Sequence, residues 1–288
     1  MKTQYKTMNL RPKTLELIEQ ANQIIDEYQE QGFELTVRQI YYQFVARGLI
    51  SNSMESYLLI GRILNHGRMC GLIDWHAIID RTRSIYGDKH WDSPQEILDA
   101  AAATYKLDTR EDQDYYIEVW IEKNALLGVI EPICRKLDIT YLPCIGYYSL
   151  SSMWRAALRF NNRDQDGIIL HLGDHDPSGL DMTRDIKDRL DTFGVTNIEV
   201  IRIALNMDQV EEYNPPSNPA KLSDSRAGNY IQQYGHESWE LDALSPEVIA
   251  DLIKDNVDSY TDFDRIQTQL KLQKQQRKHL QDIADNNA

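Results

Sequence analysis

Basic side chains are scarce in this 288-residue chain: 31 Lys and Arg stand against 45 Asp and Glu, a formal net charge of −14. That balance excludes a generic nucleic-acid coat, which needs a basic field over its whole surface. Cysteine is scarcer still. Cys70, Cys134 and Cys144 are odd in number, widely spaced and include no CxxC pair. A disulfide framework and a thiolate zinc site are therefore not expected, and each cysteine reads as a small buried hydrophobe. No apolar run approaches the length that crosses a bilayer. The opening residues, Met1-Lys2-Thr3-Gln4-Tyr5-Lys6, lack the apolar core of a secretory signal. The expectation is a cytoplasmic protein without a membrane partner. No internal repeat is visible.

The 42% hydrophobic content supports a proper core, in two modest domains or one large one. Charge is uneven along the chain. Residues 36–89 carry 7 basic and 4 acidic side chains, so any contact with phosphates should be local and begin there. Leu15, Ile18, Ala21, Ile25 and Tyr28 recur at helical spacing over 12–31. Thr36 suits an N-cap for a helix from Val37, closed by Gly48, and Ser53 suits the start of another reaching Met69. Short β-like segments follow at 71–75 and 78–80. That order predicts a winged helix-turn-helix. Arg62, Arg68, Arg81 and Arg83 are its candidate DNA-binding residues, with solvated arginines as the plain alternative.

Residues 86–111 read as a connector with one short helix. From 115 onward strands and helices alternate: strands at 115–121, 139–145, 167–172 and 197–203, helices at 124–136, 150–160 and 179–191. Such alternation predicts an α/β unit with a mostly parallel sheet flanked by helices. The boundaries expected are 1–110 for the winged-helix part with its connector, and 111–288 for the α/β part with a C-terminal helical extension. Beyond 205 the pattern weakens. Residues 214–219 read as a rigid loop, 246–257 as a helix, and 262–280 as an exposed or dimer-packed helix.

Two of the strands end in acid. Tyr116-Ile117-Glu118-Val119-Trp120-Ile121 runs into Glu122-Lys123-Asn124. Ile168-Ile169-Leu170-His171-Leu172 runs into Gly173-Asp174-His175-Asp176-Pro177-Ser178-Gly179. Ligands of open parallel sheets bind beyond the carboxyl ends of strands. Two carboxylates about 4 Å apart repel by roughly 4 kcal/mol at a surface-like dielectric, so Glu122, Asp174 and Asp176 together call for a cation. All-oxygen ligands favour Mg²⁺, which commonly works on phosphate esters. Solvated acids that merely cap helices are the alternative. His175 should point away from the aspartates. Lys123 either balances the acids or reaches a phosphate. Ser149, Ser151 and Ser152 suit helix capping, and Asp224, Arg226, Glu240 and Asp242 are possible lining from the C-terminal segment.

A strand ending in Glu, followed by a later strand ending in Asp-x-Asp, resembles the Toprim domain of topoisomerases, primases and related nucleases. The continuation Asp-Pro-x-Gly, with Ile121-Glu122-Lys123-Asn124-Ala125 upstream, looks most like the version in the topoisomerase VI A subunit and the meiotic double-strand-break transesterase. The compact Mini-A type of phages and mobile elements is the nearest form. The resemblance implies that Glu122, Asp174 and Asp176 hold Mg²⁺. It also implies a CAP-like winged helix before the Toprim domain. Thr36-Val37-Arg38-Gln39-Ile40-Tyr41-Tyr42 is similar to its motif, which makes Tyr42 the nucleophile and Arg38 its helper, with Tyr41 as the competitor. The residues give the same pairing some independent support. A phenol with pKa near 10 needs help to attack at neutral pH, and a guanidinium four residues away on one helical face stabilises phenolate and grips phosphate. The packed-core reading of Tyr41, Tyr42, Phe44 and Val45 stands beside it.

By the resemblance, cleavage leaves a 5′-phosphotyrosyl link on double-stranded DNA. A homodimer shares each break site, with Tyr from one protomer and metal from the other, and strand passage needs a separate ATPase subunit. A hydrolytic Toprim nuclease, in which Tyr42 is structural, and a non-catalytic DNA-binding module are the competing readings. The match is incomplete: Tyr42 and Glu122 are 80 residues apart, which is long for the family.

Overall fold

The computed structural model describes residues 2–79, 90–144 and 147–286. Three helices open it: α1 (Pro12–Glu30), α2 (Val37–Ala46) and α3 (Met54–Met69). One stripe of α1, including Leu17, Ala21, Ile24 and Tyr28, is buried. A capping box starts α2. Thr36 accepts from the Gln39 amide, and Gln39 accepts from the Thr36 amide at 2.8 Å. Gly48, at φ 66°, ends it in a conformation that side chains disfavour. Ser53 caps α3. In place of the expected β segments after α3 there are isolated bridges, Leu35 with Ile78 and Gln4 with Cys70. Arg81 and Arg83 lie outside the described residues. The connector helix is α4 (Pro94–Thr104).

The α/β part holds strands β1 (Tyr115–Ile121), β2 (Thr140–Pro143), β3 (Asp166–Leu172) and β4 (Ile198–Ala204). They form one parallel sheet in the order β2-β1-β3-β4. Its helices are α5 (Leu127–Leu137), entered through a 3-10 turn at Asn124–Leu126, then α6 (Leu150–Asn161) and α7 (Pro177–Thr192). Side-chain alternation sorts the strands into two faces. Ile117, Val119 and Ile121 face a core with Val129 and Ile130 of α5. Trp120 and Ile169 face the opposite core with Met153 and Phe160 of α6 and Ile186 and Leu190 of α7. Glu118 shares the second face, fully buried, and is held by both Nε and Nη2 of Arg159 at 2.7 and 2.9 Å.

The chain beyond 205 is more ordered than its composition suggests. It forms α8 (Met207–Tyr213), β5 (Ser217–Pro219), α9 (Ala227–Tyr234), β6 (Glu237–Trp239), α10 (Pro246–Ser259) and α11 (Phe263–Asn286). The expected rigid loop includes β5, which pairs antiparallel with β6. Ile249, Ile253 and Val257 of α10 join the α5 side of the sheet core. Most of α11 is exposed, as expected, but it also lies on α4 of its own chain. The Ala284 carbonyl accepts from Gln95, Gln276 accepts from Tyr105 and Gln273 accepts from the Leu107 amide. No helix among the described residues is long and apolar enough to cross a membrane.

Candidate functional site

The sheet reverses direction of growth between β1 and β3: β2 was added on one side of β1, β3 on the other. A crevice forms beyond the strand ends at such a point. Ile121 pairs with Leu172, the last residues of their strands, and the Glu122 amide donates to the Leu172 carbonyl at 2.8 Å. Glu122 and Gly173-Asp174 therefore leave the sheet side by side. The Asp174 amide donates to Glu122 Oε2 at 2.8 Å. A Cβ at Gly173 would come within 2.9 Å of that carboxylate oxygen, so Glu122 could hold this position beside a larger residue only by shifting.

Asp174 and Asp176 then serve different neighbours. Asp174 Oδ1 accepts from the Leu241 amide at 2.8 Å and from Lys123 Nζ at 2.9 Å. Asp176 Oδ1 caps α7, accepting from the Gly179 amide at 2.6 Å and the Ser178 hydroxyl at 2.9 Å. His175, between them, turns away as expected. It sits among Tyr230, Tyr234 and Trp239, and its Nδ1 lies 2.9 Å from the Tyr230 hydroxyl. Burial, with Arg202 nearby, lowers its pKa to about 4.

Lys123 spends its ammonium on three carboxylates: Asp174, Glu240 and Asp242, at 2.9, 2.8 and 2.8 Å. Burial opposes its charge, but the three acids outweigh that and raise its pKa. Arg38 meets two of the same acids, Glu240 through Nη2 and Asp242 through Nε at 2.9 Å. Its guanidinium carbon lies 5.8 Å from the centre of the Tyr42 ring. The Tyr42 phenol feels the charges of both Arg38 and Glu240. Burial first and the Glu240 charge second push it up to about 12, against the pull of Arg38. Burial also acts on Glu240, yet Lys123 and Arg38 hold its carboxyl at about 2. Tyr41 has a different task. Its hydroxyl donates to Asn52 Oδ1 at 2.7 Å and accepts from the Ser53 amide at 2.9 Å, fastening the turn between α2 and α3. Of the two tyrosines, Tyr42 faces the charged network.

Arg38, Tyr42, Glu122, Lys123, Asp174 and Asp176 thus belong to one neighbourhood within a single chain. The arginines of α3 do not join it. Arg62 is exposed, and Arg68 stacks 4.8 Å from Trp75 and donates to its carbonyl at 3.0 Å. Three residues matter more than the sequence suggested. Glu240 and Asp242 bind both cations. Arg202, half-buried on β4, donates to the carbonyls of Gly173, Asp174 and Gly179 and ties down the loop carrying both aspartates. An arginine inside the apolar run Ile198–Ala204 was the signal for it.

Among the described residues, no three His, Cys, Asp or Glu side chains form a ready-made metal cage. The donor set nevertheless fits a hard divalent cation. The hydrogen bonds described engage Oε2 of Glu122, Oδ1 of Asp174 and Oδ1 of Asp176, one oxygen of each. Five carboxylates here (Glu122, Asp174, Asp176, Glu240 and Asp242) face three cations (Lys123, Arg38 and Arg202). The excess shows in Glu122, which burial and then Asp174 raise to about 7. Mg²⁺ needs only one or two carboxylates besides water and phosphate, so a closed cage is not a requirement. No known family model matches the chain, and none of the curated proteins matches it.

Proposed function

We propose that this chain is a Mg²⁺-dependent enzyme that cuts DNA phosphodiesters, with a Toprim-like acidic site and Tyr42 as nucleophile. One observation carries the reading: Glu122 and Asp174 meet at the switch point between two adjacent parallel strands, where a phosphate-bearing ligand would enter. Glu122, Asp174 and Asp176 would hold the ion, which supplies charge neutralisation on the phosphate. Arg38 and Lys123 would orient the phosphodiester. Tyr42 Oη would attack phosphorus, forming the Tyr–O–P bond and breaking P–O3′. The phenol proton is released to solvent, and the departing 3′ oxygen takes one up. The product is a 5′-phosphotyrosyl enzyme and a free 3′-hydroxyl, and covalent storage of the bond permits resealing. Double-stranded DNA is the proposed substrate, the N-terminal helices with Arg62 and Arg68 its proposed docking face, and a winged-helix fold their proposed class. A homodimer, a separate ATPase subunit and a cytoplasmic setting belong to the same reading.

A specific observation favours a second reading. Tyr42 is 4% exposed, its phenol is pushed up to about 12, and Arg38 is already paired with Glu240 and Asp242. A hydrolytic nuclease with the same acids would leave Tyr42 structural. Supercoiled plasmid incubated with protein and Mg²⁺, then stopped with detergent, separates the two. The covalent mechanism predicts protein-linked 5′ ends that vanish in Tyr42→Phe. Hydrolysis predicts unlinked cuts that survive Tyr42→Phe and disappear in Asp174→Ala. Absence of any cut in wild type under these conditions counts against both.

A further inference from the structure

The carboxylate of Glu240 bridges the two cations best placed to receive a phosphate. It accepts from Arg38 Nη2 and from Lys123 Nζ, the latter at 2.8 Å. Three acids share Lys123, and their exposure separates them. The side chain of Asp242 is 0% exposed, that of Asp174 11% and that of Glu240 28%. Asp174 is further tied to the Leu241 amide. Glu240 instead lines a cleft of about 280 Å³, together with Arg38, Tyr42, Tyr57 and Lys221.

The other acids make its departure tolerable. If Glu240 swings into the cleft, Arg38 keeps Asp242 at 2.9 Å, and Lys123 keeps Asp242 and Asp174. Neither cation is stranded, which is the costly outcome for buried charge. What leaves is a monoanion whose Oε2 accepts from both a guanidinium and an ammonium. A phosphodiester is also a monoanion with two unesterified oxygens, and arginine binds either group in the same planar fashion. Exchanging one for the other preserves the charge of the network. Lys221 lines the same cleft, where the next phosphate of a strand could follow, and Tyr42 is beside the exchange point.

The geometry points to Arg38 and Lys123 as a phosphodiester subsite in which Glu240 is the internal stand-in that a DNA phosphate displaces. This rests on the DNA-cleaving reading and adds to it a reason why the free protein satisfies its own cations.

The test measures binding without added Mg²⁺, so that cleavage plays no part. A short fluorescent duplex is titrated against wild type, Glu240→Gln, Glu240→Asp and Glu237→Gln at several salt concentrations. Glu240→Gln removes the competing charge, and Glu240→Asp keeps the charge but shortens its reach. Glu237→Gln removes an exposed charge from β6, outside the subsite. Both Glu240 variants should bind more tightly, by roughly tenfold for the glutamine. Their log K against log salt should keep the wild-type slope, because wild type makes the same phosphate contact once Glu240 has moved aside. Glu237→Gln should bind like wild type, and Arg38→Ala combined with Glu240→Gln should lose the gain. Inorganic phosphate, followed by its ³¹P line width, is the second probe. Tighter phosphate binding in Glu240→Gln with no duplex binding by any form would uphold the subsite and count against DNA as substrate. Unchanged duplex affinity and unchanged phosphate binding in the Glu240 variants would overturn the inference, whatever the plasmid assay says about Tyr42.

Discussion

Glu122 is half-buried against the backbone of Asp174, and both burial and the Asp174 charge raise its carboxyl to about 7. The folded chain therefore retains a proton that an unfolded chain, with a carboxyl near 4.5, has already lost. Where the native state binds more protons, stability falls as pH rises. The contribution is fully present below about 4.5 and is lost as pH climbs through about 7. Glu122→Gln keeps an oxygen for the Asp174 amide and removes the ionisation. It should be more stable than wild type at about pH 8 in chelator, by roughly 1 to 3 kcal/mol, with the difference shrinking toward pH 5. Urea midpoints at the two pH values measure this. Saturating Mg²⁺ should stabilise wild type at pH 8 through linkage and leave the variant where it was. Equal midpoints for both proteins, in chelator and in Mg²⁺, would remove the charge argument. At this scale the acids were legible, because strand ends in an alternating pattern are easy to find. Glu240 was legible only as possible lining. Its partners Arg38 and Lys123 are distant in sequence, and nothing local marks a residue that bridges them.

Helix α7 begins at its cap Asp176, four residues past the end of strand β3, and this residue has two separable tasks. As a cap it accepts from the Gly179 amide, and as an anion it adds to the field at the crevice. Asn caps helices about as well as Asp, whereas Ala at this position typically loses about 1 kcal/mol. Asp176→Asn should therefore denature close to wild type, and Asp176→Ala should be less stable by about that amount. Both should weaken Mg²⁺ binding in calorimetric titration. A fully retained Mg²⁺ affinity in Asp176→Asn would leave Asp176 as a cap alone. The element pattern explains what reading the chain could achieve. Helices with a named cap, at Thr36 and Ser53, start where the cap predicts, and the four parallel strands match their apolar runs within a few residues. Helices α8 and α9 and the β5–β6 pair were missed. They are short, and β5 is bracketed by prolines, so tertiary contacts rather than periodicity hold them in place.

Among the described residues there are three cores, and the chain crosses between them more than once. Phe33 packs against both the N-terminal helical core and the sheet core, and Ala243, just past Glu240 and Asp242, is buried in the N-terminal one. The charged network thus lies where the two halves meet, and residues from both are needed to complete it. The connector is held differently. On α4 only Ala102 is buried, so that helix gains little from its own packing. Its other support comes from α11, through Gln95 to the Ala284 carbonyl and, just beyond α4, through Tyr105 to Gln276 and Arg277. Ala284 is fully buried there. Placing a carboxylate at that contact without a partner is unfavourable. Ala284→Glu should undock the end of α11 and leave α4 with too little buried surface to stay closed. Local opening of this kind is read by amide hydrogen exchange. Exchange along 94–104 should accelerate by about tenfold or more in the variant, while amides of β1 and β3 keep their wild-type protection. Equal acceleration in all three would mean that α4 and α11 unfold with the sheet as one unit. If α4 kept its protection, the connector would be stabilised by something other than the C-terminal helix.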